Sequence, residues 1–161
     1  MAKITFTGLD IYMEALRRLE KHTGDITKKA IFEGANVVAD TVKTNLQNLP
    51  TDENWGTQKR PAMGIREEQK DGLVESFGIS PLQDDDGFLN VKVGFDGYNS
   101  VKTKKYPNGQ PNQMIARIAE SGTSFSKKTP FMRKAIQASK KIAEKKMEET
   151  FENGIKENMK G

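Results

Sequence analysis

The sequence predicts an α+β fold: a small antiparallel β-sheet packed by two or three long α-helices, with two long loops. Three observations lead there. Apolar residues recur at steps of three and four along the first fifty residues and again from Pro130 to Ile155. Between these regions, residues 73–80 and 88–95 alternate as strands do, and an Asp-Gly pair joins them. The segments at about 50–72 and 96–113 keep no period and are rich in Pro and Gly. The whole of 1–161 is expected to form a single domain, with a flexible C-terminal end at about 156–161.

The elements follow in order. "KITF" at 3–6 suits a short strand or an extended arm. Asp10 is a candidate N-cap for a first helix carrying Ile11, Ala15, Leu16 and Leu19, which runs to about Lys21 and stops at Gly24. A second helix, capped by Asp25 or Thr27, carries Ile26, Ala30, Ile31, Val37, Val38, Val42 and Leu46 and ends near Leu49, because Pro50 disfavours helical geometry before it. Gly34 and Ala35 within it permit another backbone to approach closely. Trp55 sits in the first long loop, as a clamp onto the domain or as a contact for a neighbour. "LVESFGIS" and "FLNVKVGF" are the strands. The "DDDG" between them reads as a turn rather than a cation site, since three adjacent acids do not converge on one ion. "MIARIAE" at 114–120 fits a third strand and a short helix equally badly, and the reading preferred is a short helix leading into an extended stretch around Glu120. A last helix starts at Pro130 with Thr129 as its N-cap and frays after Ile155.

Composition narrows the function classes. Hydrophobic residues make up 35% of the 161-residue chain and the mean hydropathy is −0.71, which leaves a modest core and some apolar surface for a partner. No apolar run is long enough for a transmembrane helix, and the N-terminus lacks the apolar stretch of a secretory signal. Cysteine is absent, so disulfides, thiolate metal sites and cysteine nucleophiles are excluded. The formal charge of +4 is too mild to call for nucleic acid by itself. The basic pairs between Lys127 and Lys146 read first as a solvated helix face.

Catalytic patterns are not found. The single His22 has no Ser or Asp partner that spacing identifies, and no zinc-protease, P-loop or nucleophile-elbow motif occurs. "GTSFSKK" at 122–128 lacks the Gly-Lys-Ser/Thr core of a phosphate loop. No catalytic residue, metal ligand or cofactor is assigned, and the chain is not expected to be an enzyme. The basic helix lacks the interleaved aromatics of a single-strand binder. A nucleic-acid-binding accessory protein remains an alternative, with backbone contacts from Lys127, Lys128, Arg133 and Lys134. Long helices, long polar loops and no catalytic centre fit a structural interaction protein better.

Six short motifs then carry a resemblance: "GLD" at 8–10, "EGANVVADTVKTNL" at 33–46, "DGLVESFGI" at 71–79, "VKVGF" at 91–95, "AESGTS" at 119–124 and "TPFMRKAIQ" at 129–137. Each is weak alone. In this order, over nearly the whole chain, they resemble the tail-completion, or head–tail joining, neck proteins of long-tailed bacteriophages, a family similar to the minor tail protein Z of phage lambda. Ser121 stands where the family has an aromatic, and Lys134-Ala135 where it has a proline. The resemblance implies a virion protein of the phage neck, assembled in the host bacterial cytoplasm. It implies a hexameric ring between the tail terminator and the head-closure or adaptor proteins, around a channel that DNA crosses, with no reaction and no cofactor. A tail terminator or head-closure (stopper) protein is the alternative within the same connector. The residues expected to shape a structural turn or to face a neighbouring subunit are Trp55, Glu120, Gly122, Thr123, Pro130, Phe131, Arg133 and Lys134.

Overall fold

The computed structural model describes residues 9–55 and 60–160. The strand or arm expected at 3–6 lies outside them. Eight elements follow in chain order: α1 (Leu9–Gln47), α2 (Glu67–Ser76), β1 (Phe77–Ile79), β2 (Gln83–Asp85), β3 (Phe88–Asn90), β4 (Val93–Phe95), α3 (Asn112–Ser121) and α4 (Phe131–Lys160). The fold is α+β, with antiparallel strands and two long helices.

The two helices expected at the N-terminal end are one. α1 runs unbroken for 39 residues, roughly 58 Å at helical rise. Asp10 lies inside it, and so does Gly24. The hydroxyl of Thr27, a candidate cap, bonds backwards instead, donating to the Thr23 carbonyl at 2.8 Å, and Thr23 Oγ1 likewise donates to the Leu19 carbonyl at 2.6 Å. Both bonds keep the helical phase. Tertiary packing supplies the rest. α4 lies antiparallel along α1, with Phe131 beside Asn45, Met147 beside Gly34 and Gly154 beside Ile26. This pairing extends to the junction where a break was expected, and it outweighs the roughly 1 kcal/mol that a helical glycine costs.

The same pairing corrects the C-terminal expectation. Helix α4 continues through Gly154 to Lys160 rather than fraying after Ile155. Gly154 is a contact point: a Cβ there would lie 2.7 Å from Ile26 Cγ2.

The segment 50–72 is not loop throughout, and 73–80 is not strand throughout. Residues 67–76 form α2, because Gln69 and Leu73 bury one helical face, which the buried Phe77 extends at the start of β1. Gln69 Oε1 also accepts from the Arg66 N–H at 2.9 Å, closing the first turn. The strands form two antiparallel ribbons rather than one sheet, β1 with β4 and β2 with β3. Pro81, which has no N–H to donate, falls between β1 and β2. The register shifts there by one residue, from Ile79 opposite Val93 to Gln83 opposite Asn90. The "DDDG" stretch is the turn its sequence predicts. Asp86 and Gly87 both have positive φ, at 54° and 89°, as the two-residue hairpin turn requires. Asp84 Oδ1 accepts the Gly87 N–H at 2.7 Å.

The core gathers at one end of the long helix pair. Val42 and Leu46 of α1, with Leu49 just beyond it, meet Leu73, Phe77, Phe95, Ile115, Ala119, Phe131 and Ala135 there. If Gly24 is an interior helical residue with open space around it, Gly24→Ala raises stability by about 1 kcal/mol. Thermal melting followed by circular dichroism is expected to shift up by about 2–4 °C. A drop would restore the helix break.

Candidate functional site

Most of the residues singled out in the sequence converge on one corner, where α3 ends and α4 begins. α3 is helical to Ser121, so Glu120 lies on a helix and not on an extended stretch. Gly122 ends it at φ 72°, with its N–H donating to the Ile118 carbonyl at 2.8 Å. A Cβ at Gly122 would lie 2.9 Å from the Lys128 nitrogen, so both the conformation and the space require glycine. Thr123 and Ser126 then exchange backbone hydrogen bonds at 2.8 and 3.3 Å and close a tight turn.

The chain returns to α3 before it enters α4. The Thr129 N–H and Oγ1 both donate to the Ala119 carbonyl, at 2.6 and 3.2 Å. Thr129 is therefore tied to α3 and its hydroxyl does not cap α4. Glu120 supplies the cap from the neighbouring helix: Oε2 accepts the Met132 N–H at 2.9 Å and Oε1 the Arg133 N–H at 3.0 Å. One carboxylate satisfies two of the orphan donors at the start of α4 and places negative charge at the positive end of its dipole. Pro130 stands immediately before the first helical residue, one position earlier than expected.

Phe131 is 3% exposed. Its ring meets Phe95 edge-on at 5.9 Å, and its carbonyl accepts the Asn45 amide at 3.1 Å, which ties α1 to the start of α4. Arg133 and Lys134 are exposed on the first turn of α4, and Lys127 and Lys128 are exposed on the loop before it. Beside them an open cavity of about 450 Å³ lies between Asn48, Pro50, Lys128, Pro130 and Lys134.

Trp55 joins this corner indirectly. It is 8% exposed and meets Phe125 edge-on at 6.4 Å. Ala62 stitches the same loop to the corner, its N–H donating to the Phe125 carbonyl at 2.8 Å and its carbonyl accepting from Lys127 at 2.9 Å. Trp55 thus packs onto its own chain.

The sequence motifs do not point to Asp52, which holds that loop together. Its carboxylate accepts the Met63 N–H at 2.9 Å, the Asn54 N–H at 2.9 Å and the Asn54 amide at 3.0 Å, with Arg60 Nη1 at 3.1 Å. Its pKa is lowered from 3.8 to about 2. The Met63 N–H contributes most, then the two Asn54 donors, while desolvation opposes the shift and Arg60 adds a smaller attraction. "TDEN" is a local signal for such an Asx turn, but nothing local points to Met63. A buried amide pair is equally silent in the sequence: Gln69 Nε2 donates to Gln110 Oε1 at 2.7 Å, tying the 96–113 loop to α2.

As a chemical site the corner offers a capped helix end, a buried aromatic and a rim of exposed cations. Such a surface suits recognition. Among the described residues, no group of three or more His, Asp or Glu side chains is placed to hold a metal ion, and no helix is long and apolar enough to cross a membrane.

Glu120→Ala removes an acceptor shared by two backbone donors and is expected to cost about 1–2 kcal/mol. Phe131→Ala is expected to cost about 3–5 kcal/mol. Urea unfolding of the isolated protein measures both, and near-wild-type midpoints would contradict the capping role of Glu120 and the core role of Phe131. A third expectation concerns acid. Because the Asp52 pKa is depressed on folding, its contribution is full above the ordinary value of 3.8 and lost as pH falls towards about 2. Trp55 is the sole tryptophan, so its fluorescence reports on the loop. Wild-type stability is expected to fall more steeply than that of Asp52→Asn between pH 3.8 and about 2. Parallel profiles would remove Asp52 as the cause.

No protein-family model, no curated protein and no solved structure matches the chain.

Proposed function

We propose that this chain is a structural subunit of a bacteriophage neck, a ring component that completes the tail and joins it to the head. One observation carries the reading. Five of the six motifs behind the family resemblance are dispersed from residue 33 to residue 137, yet they supply one packed core. "EGANVVADTVKTNL" gives Ala39, Val42 and Leu46; "DGLVESFGI" gives Leu73 and Phe77; "VKVGF" gives Phe95; "AESGTS" gives Ala119; "TPFMRKAIQ" gives Phe131 and Ala135. Glu120, from the fifth motif, caps the helix that the sixth begins. Motifs that describe one mutually packed unit support a shared fold better than six scattered matches do.

Surface chemistry favours the same reading. Ile136 and Ile142 on α4, and Ile11 and Met13 on α1, are exposed along the two long helices. In the proposed ring these side chains are the apolar surface a neighbouring subunit would cover. The proposed neighbours are further copies of the chain in a hexamer, the tail terminator and the head-closure or adaptor protein. The cations at 127, 128, 133 and 134 contact either an adjoining subunit or the backbone of DNA passing through the channel. The role requires no catalysis and no cofactor.

Deletion of the gene from the phage that carries it is expected to yield filled heads and complete tails that fail to join. Electron microscopy of the lysate reads this, and the protein supplied from a plasmid restores joining. Normal infectious particles in the deletion would refute the reading. Localisation of the chain to the terminator or stopper layer of the virion would favour those alternatives, and tight duplex binding with a steep salt dependence would favour the nucleic-acid reading.

A further inference from the structure

The β1–β4 ribbon has an edge that nothing in the described chain completes. The Ser80 N–H donates to the Lys92 carbonyl at 2.7 Å, which makes Ser80 and Lys92 a hydrogen-bonded pair next to the ribbon. In an antiparallel ladder such pairs alternate, so Gly78 and Gly94 form the next one. The peptide groups of Ile79 and Val93 then point outward, away from each other. On the β4 edge, Gln113 Nε2 donates to the Phe95 carbonyl at 3.2 Å and covers the strand end. On the β1 edge, no described residue outside the ribbon bonds to the peptide of Ile79. A cavity of about 560 Å³ runs over the ribbon, lined by Gly78, Ile79, Pro81, Val93 and Gly94. Side chains at Gly78 or Gly94 would meet nothing within 4 Å. An open strand edge is the geometry for strand addition.

The chain contains a segment suited to it. "KITFT" at 3–7 alternates, with Ile4 and Phe6 on one face and Lys3, Thr5 and Thr7 on the other, in β-branched and aromatic residues that favour strands. This segment cannot reach the ribbon of its own chain. The Asn45 amide donates to the Phe131 carbonyl, and the Phe131 ring meets Phe95 of β4, so the ribbon lies level with Asn45. Leu9 is roughly 54 Å away along α1 at helical rise. An extended chain carries Ile4 no more than roughly 17 Å from Leu9. The distance excludes docking within one chain, so this arm reaches the ribbon only from a second copy.

We propose that residues 3–7 of one copy add as a third strand to the open edge of β1 in another copy, linking subunits through exchanged arms. From the neck reading this takes only self-association.

The absence of cysteine makes the test clean. Ile4→Cys, Thr5→Cys and Phe6→Cys are each combined with Gly78→Cys in the full chain, purified and mildly oxidised. At least one pair is expected to cross-link between copies about ten-fold above a Thr5→Cys, Lys145→Cys control, because a docked arm concentrates the thiols. A chain lacking residues 2–7 is expected to lose oligomer mass by native mass spectrometry while keeping its helical signal and melting temperature. Cross-linking at the control level, or a truncated chain that keeps the wild-type mass, overturns the exchanged arm. Neither result touches the neck reading, which falls on the gene deletion alone.

Discussion

The structure depends on how closely α1 and α4 approach. Their seam is made of small residues: Ala30, Gly34 and Ala39 on α1, and Ala135, Ser139, Ala143 and Gly154 on α4. A Cβ at Gly34 would collide with the Met147 side chain, and one at Gly154 with Ile26. Small side chains bring two helices together so that larger neighbours interlock along the whole length. Neither helix has the composition to stand alone, since each carries long charged stretches and modest apolar content. Paired, they bury a continuous stripe, and the pairing holds Gly24 and Gly154 in helical geometry.

The corner around Glu120 depends on that seam and also sets its register. α4 can lie along α1 in one phase only if its first turn is fixed. Three ties from three parts of the chain fix it: Glu120 caps its N–H groups, Asn45 holds the Phe131 carbonyl, and Thr129 anchors the preceding residues to Ala119. Gly122 makes the arrangement possible by letting the chain leave α3 at positive φ and pass within contact of Lys128. The acidic residue, the Gly-Thr turn and the Pro-Phe helix start therefore belong to one device: a carboxylate on one helix, a tight reversal, and the helix end that the carboxylate caps.

What was legible in the sequence was periodicity and local turn chemistry. The stripe from Ile26 to Leu46, the last helix and the Asp86-Gly87 turn each follow from neighbours a few residues apart, and the fold class follows from their order. What was illegible was set by distant partners. Gly24 reads locally as a helix stop, and only α4 makes it an interior position. "LVES" alternates partly as a strand would, but Gln69 and Leu73 bury a helical face whose partners lie on α1 and α3. Thr129 is a good N-cap by type, yet its hydroxyl turns to Ala119 because Glu120 already occupies the donors. At the site, Glu120, Gly122 and Phe131 stood out from their motifs. Asp52 did not, because two of its partners, Arg60 and Met63, lie eight and eleven positions away in sequence.

A helix pair this long has a consequence for assembly. The packed core sits at one end, around Leu46 and Phe131, while the start of α1 lies roughly 54 Å from it. The seam still reaches that part, where Ala15 and Ile26 are buried and Gly154 packs on Ile26. Small residues along the seam are buried, while Ile11, Met13, Ile136 and Ile142 of the same two helices are exposed; in the proposed ring the first serve folding and the second association. In a compact domain of this size the two demands would compete for the same apolar residues, of which the chain has few. Different faces of the same helices divide the two, with Ala135 buried beside an exposed Ile136. This division also explains how a chain with only 35% hydrophobic residues supports a buried core and still exposes apolar side chains on its surface.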